Sequence, residues 1–335
     1  MRYVGLDLHP GQFTMAVVDE SGTMLFEHSY PTSADNLIGV LDAVSEPKVV
    51  VFEESTLAAW VWRTLAPHVG QVVVAEPWHN HLISGDEDND DVASAVKLAE
   101  LYRAGFIKAV HHTGERGQVF KELVLFYHDT ARELARFKNK LKSKLQQHGL
   151  YVVGAEVYDQ QHRDAYLQQI DADGARLQAQ LLLDTIDHLT DQKAAARAEV
   201  IRHCAAIEPI GRLRELPGIG LIRAATFVAI VDTPQRFATK RKLWSYCGLG
   251  VANRSSGDSE GPEHLNRRYN RRLKAVAKGA AIAAINHGDN QFARQYRRLI
   301  ADGIRAENAR LTVARAIITT MWAIWRSGER YRPRG

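Results

Sequence analysis

The chain has 335 residues, 45% of them hydrophobic and 24% charged, the balance of an ordinary globular protein with room for two or three domains. It contains no run of about 18 apolar residues, so no membrane-spanning helix is expected, and it enters an apolar strand without a basic leader, so secretion is not expected either. The net charge of +4 conceals an asymmetry: residues 1–110 carry 6 Lys+Arg against 16 Asp+Glu, and residues 201–280 carry 15 against 6. A basic segment of that strength either faces a polyanion or forms a solvated face, and the acidic N-terminal part suits a cation. Cys204 and Cys247 lack metal-ligand neighbours and read as buried thiols of a reducing cytoplasm.

Strand signals come first, over Tyr3–His9, Gln12–Asp19 and Thr23–His28, joined by turns at Pro10-Gly11 and Glu20-Ser21-Gly22. These predict an antiparallel meander. A helix follows from Ser33, an N-cap residue type, to about Val44. Then come strand Lys48–Glu53, helix Thr56–Leu65, strand Gln71–Ala75 and helix Asp91–Ala104. The order β-β-β-α-β-α-β-α is that of the ribonuclease H-like fold, in which the first strand is central and lies beside the fourth. From about Gly114 to His203 the pattern is helical, with apolar residues of Phe120–His148 at helical spacing and a second stretch from Arg163 to about Ala205, broken near Asp171–Gly174. Such a pair predicts an antiparallel coiled-coil hairpin serving as a spacer or dimerisation arm. A direct nucleic-acid role for Lys138, Lys140, Lys142 and Lys144 is the secondary reading. Further on, Leu216-Pro217-Gly218-Ile219-Gly220 between helical runs Ile201–Leu213 and Ile222–Val231 has the helix-hairpin-helix pattern, whose glycines let backbone N–H groups approach a phosphate.

Asp7 interrupts the apolar run Tyr3–His9, where a charge is costly in a strand covered on both faces. Glu53 and Glu54 end a second apolar strand, and Asp86-Glu87-Asp88-Asn89-Asp90-Asp91 opens a helix. Carboxylates from three elements are what a two-cation site for phosphoryl transfer requires, and Asp7, Glu53 and Asp91 are the candidate ligands for Mg²⁺ or Mn²⁺. The competing readings are a helix N-terminal carboxylate for Glu54 and a solvated loop for the acidic run. A second constellation joins Arg254-Ser255-Ser256-Gly257 to Arg267, Arg268, Arg271, Arg272 and Lys274. There a serine hydroxyl in a Gly-flanked loop stands among guanidinium groups able to stabilise charge on phosphorus.

These segments together resemble the DEDD-type insertion-sequence transposases of the insertion-sequence-110 group, related to the Piv invertases, which act as bridge-RNA-guided serine recombinases. The resemblance is carried by Val4-Gly5-Leu6-Asp7-Leu8-His9, Phe52–Ala58, Lys97–Tyr102, Leu216–Gly220, Lys242–Gly250, Ser255-Ser256-Gly257 and Leu265–Arg268. It implies a RuvC-like domain over 1–112, a helical coiled-coil linker over 113–205 and a C-terminal transposase domain over 206–330. Asp7 would be the first carboxylate and Glu53 the second. The third falls on Asp91 and the fourth on Ser94, so the family pattern breaks there; a shifted register would use Asp88 and Asp91. The nucleophile maps to Ser256, with Ser255 the runner-up. Gly218, Gly220, Arg254, Arg267, Arg268, Arg271, Arg272 and Lys274 would contact nucleic acid. Also implied are DNA and a structured guide RNA as partners, assembly as a homodimer or homotetramer, and a cytoplasmic, nucleoid-associated location without a membrane. The alternative is a domesticated or catalytically degenerate relative that binds RNA or DNA without cleavage.

Overall fold

A computed structural model describes residues 1–77, 90–252, 255–256, 259–260 and 264–333. The chain divides into two compact units, Met1–Glu115 and Arg116–Gly335. Among the described residues no helix is long and apolar enough to cross a membrane.

The first unit is a six-stranded sheet with helices on both faces. Strands β1 (Arg2–Leu8), β2 (Gln12–Val18) and β3 (Met24–Pro31) form the antiparallel meander. Helix α1 (Ala34–Asp42) starts at Ser33, whose hydroxyl accepts from the Asn36 amide at 3.1 Å. Next come β4 (Lys48–Glu53), α2 (Ala58–Leu65), β5 (Val72–Ala75), α3 (Asp91–Arg103) and the short β6 (Ala109–Val110). The strand order is β3-β2-β1-β4-β5-β6, with β4 parallel to both β1 and β5. β1 is therefore central and beside β4, as the strand pattern predicted.

Strand alternation then fixes which side chain meets which layer. Val4 and Leu6 of β1 and Val50 and Phe52 of β4 enter one core with Leu37 and Leu41 of α1 and Val61 and Leu65 of α2. Val49 and Val51 point the other way, onto Leu98 of α3. Gly5 shares that second face, and a Cβ there would lie 1.8 Å from the Ala95 carbonyl oxygen. Only glycine lets α3 settle this close to the central strand. Helix α2 begins two residues later than Thr56, and Glu54 does not cap it: its carboxylate meets His112 Nε2 at 2.8 Å, and that ring stacks on Trp62.

The second unit is helical apart from four two-residue strands among its described residues. Helices α4 (Glu115–Gln147), α5 (Arg163–Leu167) and α6 (Asp173–Cys204) lead into α7 (Glu208–Leu213) and α8 (Leu221–Val231). Then follow α9 (Lys240–Tyr246), strands β7 (Val251–Ala252), β8 (Ser255–Ser256), β9 (Ser259–Glu260) and β10 (His264–Leu265), and helices α10 (Arg271–Asn286), α11 (Gln291–Ala301) and α12 (Ala306–Ser327). Phe120 and Val124 near the start of α4 share a core with Val200 and Cys204 at the end of α6 and with α8, α10 and α12. Leu141 and Leu145 near the end of α4 share another with Ala179 and Leu183 near the start of α6. The two long helices therefore run antiparallel. Lys138 and Lys142 serve that hairpin: Lys138 lies over the Tyr158 ring at 4.4 Å, and Lys142 donates to the Gly154 carbonyl at 2.8 Å. The run Ile201–Leu213 is not one helix. Pro209, which has no amide hydrogen, sits in the first turn of α7, where none is needed, and a break precedes it. Likewise Ser255-Ser256 is not a plain loop but one side of a β8–β9 ladder.

Candidate functional site

Asp7 is the last inward residue of β1 on the α3 side, and α3 starts directly above it. Asp90 caps that helix, its carboxylate accepting from the Ala93 amide at 2.6 Å; such a cap contributes about 1 kcal/mol. The cap fixes Asp91 as the first helical residue, one turn before Ala95, which packs on Gly5 two residues ahead of Asp7. Ligand atoms of Asp7, His9 and Asp91 consequently lie within 4.8 Å of one another. His9 Nε2 is 3.4 Å from Asp7 Oδ2 and 3.6 Å from Asp91 Oδ1, and Gln12 donates to Asp91 Oδ2 at 3.1 Å.

Burial holds the Asp7 carboxyl above its ordinary value; His9 opposes the shift and the Asp91 charge adds to it. Two carboxylates gathered where one of them is already hard to ionise form a site that a cation relieves, so the donor set fits a divalent ion. Glu53 closes β4 beside it. The parallel register pairs Leu6 with Phe52, and one step further places Asp7 and Glu53 level on the α3 side. The cluster of 4.8 Å does not include the Glu53 carboxylate. Ser94 lies three residues after Asp91 on α3 and so on the same helix face. Asp88 and Arg254 fall outside the described residues.

In the second unit, Gly218 has φ +83°, and a Cβ on it would lie 2.3 Å from the Ala280 carbonyl oxygen of α10. Its carbonyl accepts from Arg223 at 2.8 Å. This glycine thus serves helix packing. Gly220 is the exposed one, standing before α8 with no side-chain cap on that helix. Ser256 sits in β8, paired with Ser259. The basic set after β10 divides by role. Arg272 donates to Asp129 of α4 at 2.6 Å, and Lys274 lies over the Tyr269 ring at 4.1 Å. Arg267, Arg268 and Arg271 are exposed.

Comparison with known proteins bears on both units. A family model for DEDD transposases of the IS110 type matches residues 4–149, and one described as the transposase IS116/IS110/IS902 family matches residues 211–297. Both matches are to models of IS110-type transposases, one in each unit. Among curated proteins, the putative transposase y4qE of Sinorhizobium fredii is 24% identical over 271 residues, covering 73% of this chain and 67% of that protein. An insertion element IS110 protein of Streptomyces coelicolor is 31% identical over 155 residues, 46% of this chain and 38% of its own length. An insertion element IS900 protein of Mycobacterium paratuberculosis is 31% identical over 161 residues, 48% of this chain and 39% of its own. The chain thus spans well under half of the last two.

Three features were not legible in the sequence. His9 carried a signal only in its place, two residues after Asp7 at the end of an apolar strand. Gly5 carried a signal too, a glycine inside a strand. The third had none. In the second unit α9, α11, α12 and the segment after α12 enclose a cavity of about 1240 Å³. Lys240, Arg294, Arg298, Arg315, Arg330 and Arg332 line it against a single acid, Glu329. Its floor is held by Trp244, whose indole donates to Thr319 at 2.9 Å, and by Arg315, whose Nε donates to the Leu249 carbonyl at 2.7 Å. Cations spread over some ninety residues of sequence are brought into one groove, where Arg294 is paired with Asp289 and Arg330 stands 3.9 Å from Glu215.

Proposed function

We propose that the protein is a DNA transposase that cuts and rejoins strands through a phosphoserine link, with a structured guide RNA as its second nucleic acid. The observation that carries the reading is the convergence of Asp7 with Asp91 at the start of α3, with Glu53 level on the next strand, in a chain that two transposase family models match. Asp7, Glu53 and Asp91 would hold the divalent ion, with Asp88 or the site at Ser94 as the place of a fourth donor. Bound Mg²⁺ or Mn²⁺ would supply Lewis-acid stabilisation of the reacting phosphate oxygens.

Ser256 Oγ is the proposed nucleophile. It loses its proton and bonds to phosphorus, while the bond from phosphorus to the 3′ oxygen breaks and that oxygen leaves as a hydroxyl. The phosphoester energy is kept in the serine ester, so the strand can be rejoined by the reverse attack without ATP. Arg267, Arg268 and Arg271, all exposed, would bind phosphate, and the cationic groove would hold a further stretch of backbone. Because serine and carboxylates lie in different units, we read the active site as composite, which suits a dimer or tetramer. The test is an adduct assay on DNA spanning the ends of the element. Wild type should give a protein–DNA adduct stable to denaturant. Ser256→Ala should give none while still binding nucleic acid, and an undiminished adduct in that variant would remove Ser256 from the role.

Ser94 supports a second reading, a relative that binds nucleic acid without cutting it, since a hydroxyl is a poor substitute for a carboxylate ligand. Under it, Ser94→Asp should produce strand cleavage where the parent has none. An active parent, unchanged by the substitution, excludes it.

A further inference from the structure

We propose that His9 is itself a metal ligand, a nitrogen donor in the carboxylate site, and that it turns the site's preference from Mg²⁺ toward transition ions of the Mn²⁺ kind. The proposal rests on the metal-site reading above and deepens it.

Three observations carry it. The first is placement. His9 directly follows β1, and its ring, the Asp7 carboxylate at the end of that strand and Asp91 at the start of α3 meet at one point. The second is rigidity. The His9 amide donates to the Gln12 carbonyl at 3.0 Å, and the Thr32 hydroxyl donates to the His9 carbonyl at 2.8 Å. The backbone beneath the ring is thus fixed from two strands' ends, as a ligand must be. The third is distance. His112, His162 and His203 each stand against one carboxylate, of Glu54, Asp159 and Glu199, at 2.8, 3.2 and 3.3 Å. His9 Nε2 instead stands between two, 3.4 Å from an Asp7 oxygen and 3.6 Å from an Asp91 oxygen. Donors that share an ion with bonds of about 2.1 Å are separated by roughly 3.0–3.4 Å, depending on octahedral or tetrahedral geometry. His9 stands at that separation from Asp7 and just beyond it from Asp91, so small side-chain shifts bring all three onto one ion.

The chemistry follows from the donor type. Mg²⁺ takes oxygen ligands and gains little from an imidazole, whereas first-row transition ions accept nitrogen readily. With Ser94 in place of a carboxylate on α3, His9 restores a donor from the strand side, and it restores a softer one.

The experiment uses the full-length chain without nucleic acid. Mn²⁺ binding is followed by electron paramagnetic resonance, with Mg²⁺ as competitor, for wild type, His9→Ala and Asp7→Asn. Pulsed measurements on wild type should show coupling of the bound Mn²⁺ to an imidazole nitrogen, and His9→Ala should lose it. The same substitution should weaken Mn²⁺ by about tenfold or more and Mg²⁺ by less than about threefold. Wild type without nitrogen coupling, or equal losses for the two ions, overturns the proposal while leaving the carboxylate site standing. Mn²⁺ affinity unchanged in Asp7→Asn removes the metal site itself, and His9's role with it. The wild-type spectrum decides the question even if His9→Ala fails to fold.

Discussion

A methyl group on Gly5 would lie 1.8 Å from the carbonyl oxygen of Ala95, closer than any relaxation of a side chain can mend, because the obstacle is helix backbone. Gly5→Ala should therefore push α3 off the sheet and carry Asp91 away from Asp7. We expect a loss of about 2 kcal/mol or more, the upper range for overpacking, read as a lower melting temperature. Stabilisation by added Mn²⁺ should vanish with it. Asp7 itself is held above its ordinary carboxyl value, chiefly by burial. The folded chain thus takes up a proton there more readily than the unfolded chain, and stability contributed at this residue falls as pH rises from the unfolded value through the folded one. In divalent-free buffer at neutral pH, Asp7→Asn should raise the melting temperature and flatten that slope; a lowered melting temperature would contradict the account. Of these residues Asp7 was visible as a charge in an apolar strand. His9 was visible only as a histidine just past a strand end, which has so many ordinary uses that only its standing between two carboxylates singles it out.

At the scale of elements, apolar runs and caps reported faithfully on the first unit, since Ser33 and Asp90 each start a helix by chemistry local to a few residues. Where the outcome depended on distant partners, local pattern could not supply it. Pro209 broke a run that otherwise read as one helix, and Arg272 looked like its basic neighbours until α4 supplied Asp129. Removing Arg272 should accordingly act on stability. The pair is about a third exposed, so Arg272→Ala should cost only about 0.5–1 kcal/mol in chemical unfolding, and the salt dependence of nucleic-acid binding should not change. His128, whose Nε2 lies 2.7 Å from the Thr226 hydroxyl, ties α4 to α8. Burial first, and the Arg272 charge second, depress its pKa below 6.5, with Asp129 opposing. The unfolded chain thus binds the proton more readily, and stability is lost as pH falls below about 6.5. His128→Asn should remove that part of the acid slope in thermal melts from pH 7 to 5.

For the whole molecule, charge asymmetry pointed to a cation at one end of the sequence and a polyanion facing residues 201–280, yet of the groove's cations only Lys240 comes from that segment. The groove was hidden because Lys240, Arg298 and Arg332 become neighbours only when α9, α11 and the chain after α12 are packed. Arg298 is exposed on it. Arg298→Ala should weaken binding of unrelated sequences alike and reduce the slope of log K against log salt by about one. A composite site predicts, in addition, that mixed Asp7→Ala and Ser256→Ala chains recover recombination that neither has alone. The helical hairpin has a mechanical consequence. With 33 residues, α4 extends about 50 Å, from a base among Phe120 and Val124 to a tip beyond Leu145 where Tyr151 and Val153 are exposed. Braced along its outer half by a core of its own, it behaves as a bar, and a turn of about 5° at its base sweeps the tip through roughly 4 Å. Any small repacking among α8 and α10 at that base would thereby be amplified into a displacement large enough to make or break a contact at the far end.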